Sequence, residues 1–360
     1  MKEETELKIS PLKLGLSYAG CFLGVGYISG RELWTFFGGY GWGGFLGAGI
    51  VLALQLISGV MLIRLANQTG ENRVEALIVR FACRPLRLAV GIIQALMMFF
   101  AMSVMVAGSG ALVNQLFGWP AWLGSMVFAL LVGYVGYRGL GTLLNVFSAV
   151  VPVLVGLTAV ICVLTLLRTD PAGITLPRIE RADPVMNRWY GAALLFFSYN
   201  IFASIGVLTP IGCRLRSRRT AWAGILLGTL LLSVMTFGIL SALTAVPESL
   251  ETEMPMLLCA QRIRPALGAV FALLLLGGMF GTASNCSLYT LSVLTAGDGF
   301  PARHRFLTVL AVMSVSLSIS FFGFSGLIGT MYPIFGYFGV FMFALLLEHY
   351  FHARREKRQE

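Results

Sequence analysis

Apolar residues fall along this chain in long blocks. They show neither the alternation of half-buried strands nor the single stripe of a surface helix. Apolar runs of about 18 residues or more, long enough to cross a bilayer core, recur from Leu12 to the basic C-terminus. They predict ten spans at approximately residues 11–38, 41–66, 86–117, 120–137, 143–167, 187–213, 219–246, 265–296, 306–322 and 326–350. Turn residues separate them: Gly38-Gly39 and Gly41, Trp119-Pro120, Gly139 to Gly141, Gly297-Asp298-Gly299 with Pro301, and Gly323 with Gly326. The third and eighth spans are longer than a crossing needs and must tilt or protrude. The fourth and ninth are the shortest.

The first span carries a signal against its own continuity. Within GCFLGVGYISGRELWTFF, Gly24, Gly26 and Gly30 each weaken helix by about 1 kcal/mol relative to Ala. Ser29-Gly30-Arg31-Glu32 then reads S-x-x-E, the pattern of a capping box at a helix start. A helix that starts partway through a membrane implies another that has just stopped. The stretch 11–38 is therefore expected as two half-helices around an unwound turn at about residues 24–29. Broken backbone at membrane depth is tolerated only inside protein or beside a watery cavity, and in transporters such breaks form binding sites.

Composition agrees with the pattern. Of 360 residues, 57% are hydrophobic and only 12% charged, about half the charge of a soluble protein. The N-terminal MKEETELK is too acidic for a signal-peptide n-region, so the first span is expected to stay in the protein. Six cysteines without a C-x-x-C pair and three histidines near the end of the chain offer no disulfide framework, transition-metal site or cofactor motif. The net charge of +10 is explained by topology rather than nucleic acid. With the N-terminus in the cytoplasm, that side receives 19 of the 26 Lys and Arg residues, among them Lys13, Arg64, Arg80, Arg138, Arg214, Arg305 and the tail from Arg354 to Arg358. The chain is expected to be a multi-pass plasma-membrane protein with both termini inside, forming one integral membrane domain over 1–360.

Spans six to ten echo one to five at an offset of roughly 175–185 residues: a glycine-bearing span first, an over-long third member and a short fourth. Five being odd, the halves (about 11–167 and 187–350, followed by the tail 351–360) enter from opposite faces as an inverted repeat. Span six should then break where span one does, at its polar run Ser198-Tyr199-Asn200 to Ser204. Such groups either line a site or bond neighbouring helices. Span eight holds Thr282, Ser284, Asn285 and Ser287 around Cys286, four oxygen-bearing side chains of the kind a hard cation prefers. Thr282 and Ser284 point about 200° apart on a helix, whereas Thr282 shares a face with Asn285 or Cys286.

These residues resemble the amino acid–polyamine–organocation superfamily, with its LeuT-like five-plus-five fold and broken helices one and six. Gly24-Val25-Gly26 is similar to the superfamily's unwound-helix mark, and Gly24 to Glu32 followed by Trp34 and Phe36-Phe37 is similar to YkvI-type membrane proteins. The resemblance implies solute contacts at Gly24, Val25, Gly26, Ser29 and Gly30, faced by Tyr199, Asn200 and Ser204. In sodium-coupled relatives it implies a cation held by Leu23, Gly26, Thr282 and Ser284 or Asn285. Some proton-coupled relatives place a Lys in span five, and residues 143–167 contain no ionisable Lys, Arg, Asp, Glu or His, which leans towards sodium. Glu32 either closes the capping box or carries a coupling proton. Arg31 either reaches the outer interface or serves as a gate, although residues 326–347 lack the Asp with which the relatives' gate Arg pairs.

The expected protein is an all-α secondary transporter of bacterial type. It moves a small polar solute, an amino acid or related zwitterion, by alternating access with Na+ or H+. The alternative is a solute receptor of the same fold that signals to a protein partner. An enzyme is disfavoured by the absence of an intramembrane His, an H-E-x-x-H motif or a nucleophile–base pair.

Overall fold

The computed structural model describes residues 9–70, 74–80, 84–138, 150–169, 176–215, 217–295 and 299–359. The turns predicted at Gly139 to Gly141 and at Gly297-Asp298, together with the start of span five, lie outside the described residues. Within them the chain is helical, apart from one isolated bridge between Tyr40 and Arg178. Large apolar side chains such as Leu12, Ile57, Leu130, Leu167, Leu273 and Phe322 are exposed around the helices. A soluble protein would not scatter so much apolar surface outwards, and lipid explains it. The chain is a multi-pass membrane protein.

Span one is divided twice. Ser10 opens α1 (Pro11–Phe22), its hydroxyl accepting from the Lys13 N–H at 3.2 Å. Leu23 leaves the helix (φ −75°, ψ 51°), and Gly24 is extended (φ −68°, ψ 167°). A single turn, α2 (Val25–Ile28), follows, and Gly30 then turns left-handed at φ +83° before α3 (Arg31–Phe37). That angle requires glycine. The break is present as expected, but residues 25–28 within it are helical rather than unwound.

The capping box does not form. Gly30 occupies the N-cap, the Ser29 hydroxyl donates back to the Gly26 carbonyl at 3.0 Å, and Glu32 is drawn away to Tyr199. Glu32 is buried, where an unpaired carboxylate is costly, and the Tyr199 hydroxyl supplies its donor.

The remaining spans are α4 (Trp42–Thr69), α6 (Arg84–Phe117), α7 (Ala121–Arg138), α8 (Val150–Arg168), α9 (Trp189–Arg214), α10 (Arg218–Ala245), α12 (Pro265–Leu294), α14 (Arg305–Ser320) and α15 (Phe324–Gln359). Short helices α5 (Val74–Ile78), α11 (Pro255–Ile263) and α13 (Phe300–Arg303) lie between them.

Span six, α9, keeps helical hydrogen bonding through its polar run and bends by 51° between Gly206 and Leu208. Pro210 explains the position. It lacks the N–H that would bond residue 206, and its ring pushes that carbonyl aside. The second discontinuity is thus a proline bend placed after Ser204, not an unwound stretch across Ser198 to Ser204.

The packing repeats with the spans. Span one packs on seven as six packs on two, span three on nine as eight on four, three on ten as eight on five, and five on seven as ten on two. In these four pairs, exchanging each span with its counterpart five places on turns one member into the other, as an internal two-fold relation gives. Together with the broken first span and bent sixth, this is a LeuT-like five-plus-five inverted repeat. Glycines set the closest approaches: a side chain at Gly15 would meet the Gly224 carbonyl at 2.8 Å, and one at Gly228 the Gly15 carbonyl at 2.7 Å. The half-helix α1 is therefore keyed into span seven.

Two connecting segments cover the face opposite the N-terminus. In the first, Arg181 donates to the Gly38 carbonyl at 2.9 Å and to the Tyr40 hydroxyl, satisfying the end of α3. Asp183 accepts from the Val185 and Met186 amides at 2.8 and 3.1 Å and from the Tyr337 hydroxyl of span ten at 3.0 Å. The second, residues 247–264, contains α11, whose Met256 N–H donates to the Ser29 carbonyl at 3.0 Å. Gln115 of span three bonds both backbone groups of Met254 at 3.3 Å.

Candidate functional site

The break in span one borders a cavity of about 450 Å³, well within the usual size for small-ligand sites. Its wall is shared by both halves of the chain. Gly24 and Glu32 come from span one, Met97, Met98 and Met105 from span three, Tyr199, Asn200 and Phe202 from span six, Thr282, Asn285 and Cys286 from span eight, and Tyr332 and Phe335 from span ten. Ser17, Gly20 and Cys21 of α1 extend it towards the side on which the chain begins. Gly20 and Asn285 are exposed, so the cavity is open there.

The opposite end is closed by aromatic rings. Phe196 packs against Phe36 (5.3 Å), Phe37 (4.7 Å) and Tyr199 (5.6 Å), and Tyr199 against Tyr332 (5.1 Å). Beneath this plug sits the Glu32 carboxylate, only 4% exposed, accepting from the Tyr199 hydroxyl. Two local features put it there. α3 starts at Gly30 and directs its first turn inwards, and Gly26 has no side chain: an added Cβ would stand 2.8 Å from Glu32 Oε2.

Among the residues expected at a solute site, Gly24, Tyr199 and Asn200 line the cavity. Val25, Ser29, Gly30 and Ser204 do not. Val25 is buried and packs towards Gly278. Ser29 is bonded to the backbone on both sides, Gly30 lies against Leu243, Ile239 and Met256, and the Ser204 hydroxyl returns to the Ile201 carbonyl at 2.7 Å. Gly26 contributes by leaving room for Glu32 rather than by lining the space.

The residues expected to hold a coupling cation separate into two groups. Thr282 and Asn285 line the cavity, with Cys286 on the same face. Ser284 points away; it is buried, its hydroxyl has no hydrogen-bond partner, and Leu23 is buried at the break without reaching the cavity wall. The Gly26 carbonyl already accepts from Ser29. These five positions do not converge on one point in this conformation.

Arg31 leaves the site altogether. Its guanidinium donates to the Leu250 carbonyl at 2.9 Å. Close by in sequence, Glu253 accepts from the amide and hydroxyl of Ser325 at 2.6 and 2.5 Å, at the start of span ten. As the lack of an Asp in residues 326–347 led one to expect, Arg31 makes no direct pair with span ten among the described residues; the loop 247–264 binds α3 and span ten separately.

Sequence reasoning missed Tyr332, Phe335 and the span-three methionines. The run Met97-Met98 with Met102 and Met105 was a visible signal, since flexible thioethers gather at adaptable binding surfaces. Tyr332, a single aromatic beside Pro333 in an apolar span, carried none.

Comparison with known proteins places this geometry in a class. Mhp1 in its inward-facing conformation superposes with a TM-score of 0.69 over 98% of this chain and 78% of its own, at 16% identity. Mhp1 in a closed conformation with bromovinylhydantoin bound gives 0.62 over 92% of this chain and 75% of its own, at 15% identity. MhsT in complex with L-phenylalanine gives 0.56 over 92% and 89%, at 16% identity. The fold is the LeuT-like one.

In sequence, the chain is similar to the membrane protein YkvI of Bacillus subtilis (strain 168), 24% identical over 344 residues covering 94% of this chain and 96% of that one. It is also similar to YyaD of the same organism, 23% identical over 348 residues, 93% and 96% of the two chains. No family model matches.

Proposed function

We propose that this protein is a secondary transporter that moves a small polar solute, an amino acid or related zwitterion, by alternating access coupled to Na+ or H+. One observation carries the reading: a cavity of about 450 Å³ at the break in span one, walled by spans from both halves of an inverted repeat. A site shared between two halves can be exposed to either side as one half rocks against the other. The solved proteins of the same fold include Mhp1, a nucleobase-cation-symport-1 family transporter, and MhsT bound to L-phenylalanine, which supports this class.

The conformation fits one stage of such a cycle. The cavity opens beside α1, on the side that the Lys and Arg distribution assigns to the cytoplasm, and aromatic packing with the segment 247–264 closes the other. The higher superposition on inward-facing Mhp1 than on its closed form supports an inward-open state.

The test is uptake of labelled solutes into proteoliposomes, with a sodium gradient and a proton gradient imposed separately. Gradient-driven accumulation of at least one solute is expected. A broad panel with no gradient-driven flux would overturn the transport reading, and saturable binding without flux would move the protein to the receptor class.

A further inference from the structure

The wall of the cavity is uneven in charge. Among the described residues it carries one carboxylate, Glu32, and no Lys, Arg or His. The described ion pairs, Arg80–Glu348 and Arg262–Glu248, lie elsewhere, and the adjacent Arg31 is committed to the Leu250 carbonyl. Glu32 therefore sits at the closed end of the cavity without a cationic partner from the protein. The titratable groups that face it among the described residues are Tyr27 of α2, Tyr199 of span six and Tyr332 of span ten, with Cys286 of span eight across the space. None of these brings a positive charge.

The surfaces beside the carboxylate are aromatic and polarisable. Tyr199 and Tyr332 lie with ring centroids 5.1 Å apart, and Phe202, Phe335 and the methionines of span three continue the wall. Ring faces attract cations through their quadrupoles, and thioethers fit apolar bodies of varied shape. The buried Asn200 amide lies beside Glu32, and Thr282 and Asn285 complete the wall on the more open side. A solute that brought its own carboxylate would set it in the same low-dielectric space as Glu32, with no Lys, Arg or His in the described wall to receive it. A solute carrying an ammonium group and an apolar body meets complementary chemistry at every point.

We propose that the solute of this site is an organic cation, an amine or quaternary ammonium compound, whose charged group docks on Glu32 between Tyr199 and Tyr332. This rests on the transporter reading and departs from it in solute class, with a cation in place of the zwitterion. One Glu32 oxygen is fixed by the Tyr199 hydroxyl, which holds the carboxylate at the end of the cavity. The zwitterionic amino acid is the competing solute.

Charge-varied series on a constant body separate the two. Binding to purified protein in detergent is measured by isothermal calorimetry for phenethylamine, phenylalanine and phenylacetate, and for choline and glycine betaine. The cation of at least one series should bind at least tenfold more tightly than its zwitterion, and phenylacetate should not bind. Glu32→Gln keeps the shape and an acceptor for Tyr199, and should weaken cation binding at least 30-fold while leaving the thermal unfolding profile close to wild type. Tyr332→Leu should weaken it several-fold, and Tyr332→Phe much less. Should Glu32→Gln unfold, Glu32→Asp, which retains the charge at a shorter reach, should give intermediate affinity.

Equal or tighter binding of the zwitterions, or cation binding indifferent to Glu32→Gln, overturns the assignment while leaving transport intact. Failure of every amine in the panel, with gradient-driven uptake of some other solute, overturns it as well. Absence of gradient-driven uptake for any solute overturns the transporter reading itself, and calorimetry still decides whether Glu32 binds amines.

Discussion

Substituting Gly26 by Ala tests the link between broken backbone and placed carboxylate. The new Cβ would stand 2.8 Å from Glu32 Oε2, 3.3 Å from Ile328 Cδ1 and 3.5 Å from Glu32 Cβ. The carboxylate tip is the part free to yield, so it moves and its bond with Tyr199 is lost or stretched. Hydrogen bonds to charged groups are worth about 1.5–3 kcal/mol. Ala favours the helical turn α2 over Gly by about 0.5–1 kcal/mol, so the net loss of stability is about 1–2 kcal/mol, visible as a small fall in melting temperature.

Solute affinity should fall much further in proportion. If the solute meets Glu32 where it now stands, losing one charge-assisted contact weakens binding by about 10- to 150-fold. Equilibrium binding of a labelled solute to purified protein reads this directly. Gly91→Ala, on span three with nothing within 4 Å of its added Cβ, is the control and should bind as wild type does. Affinity unchanged in Gly26→Ala would show that Glu32 is not held at the site by the missing side chain, and the reasoning fails there.

Other consequences follow from the same contacts. Tyr199→Phe removes the hydroxyl that fixes Glu32 and should weaken solute binding about 10-fold or more, with the fold retained by circular dichroism. Glu253→Gln loses charge from the contacts to Ser325 and should lower stability by about 1–2 kcal/mol, read as a shift in thermal unfolding; an unchanged profile would mean that this tie is not holding the loop to span ten. Gly228→Leu drives a branched side chain into the Gly15 carbonyl and should prevent recovery of monodisperse protein, whereas Gly70→Asn, at a left-handed helix end with open space around it, should be tolerated.

Much of the architecture was legible because bilayer thickness forces long apolar runs and leaves glycine as the visible mark of interruption. Gly24, Gly26 and Gly30 located the break within a few residues. The S-x-x-E motif misled, since a local capping pattern says nothing of a hydroxyl arriving from span six, and Tyr199 took Glu32 from it. In span six the polar run drew attention away from Pro210, whose missing N–H sets the bend. The face shared by Thr282, Asn285 and Cys286 followed from helical geometry alone. The roles of Tyr332, Phe335 and the loop helix at Pro255–Ile263 depend on contacts between distant segments, which no single stretch encodes.

The central claim is that a solute occupies the hollow beside the broken first span. A structure by electron cryomicroscopy in lipid nanodiscs, with a solute present at saturating concentration, tests it most directly. Density between Gly24, Glu32, Asn200 and Thr282, with the chain leaving helical geometry at Leu23–Gly24 and at Gly30, is the expected result. A first span running unbroken from face to face, or solute density anywhere else in the protein, would contradict the account.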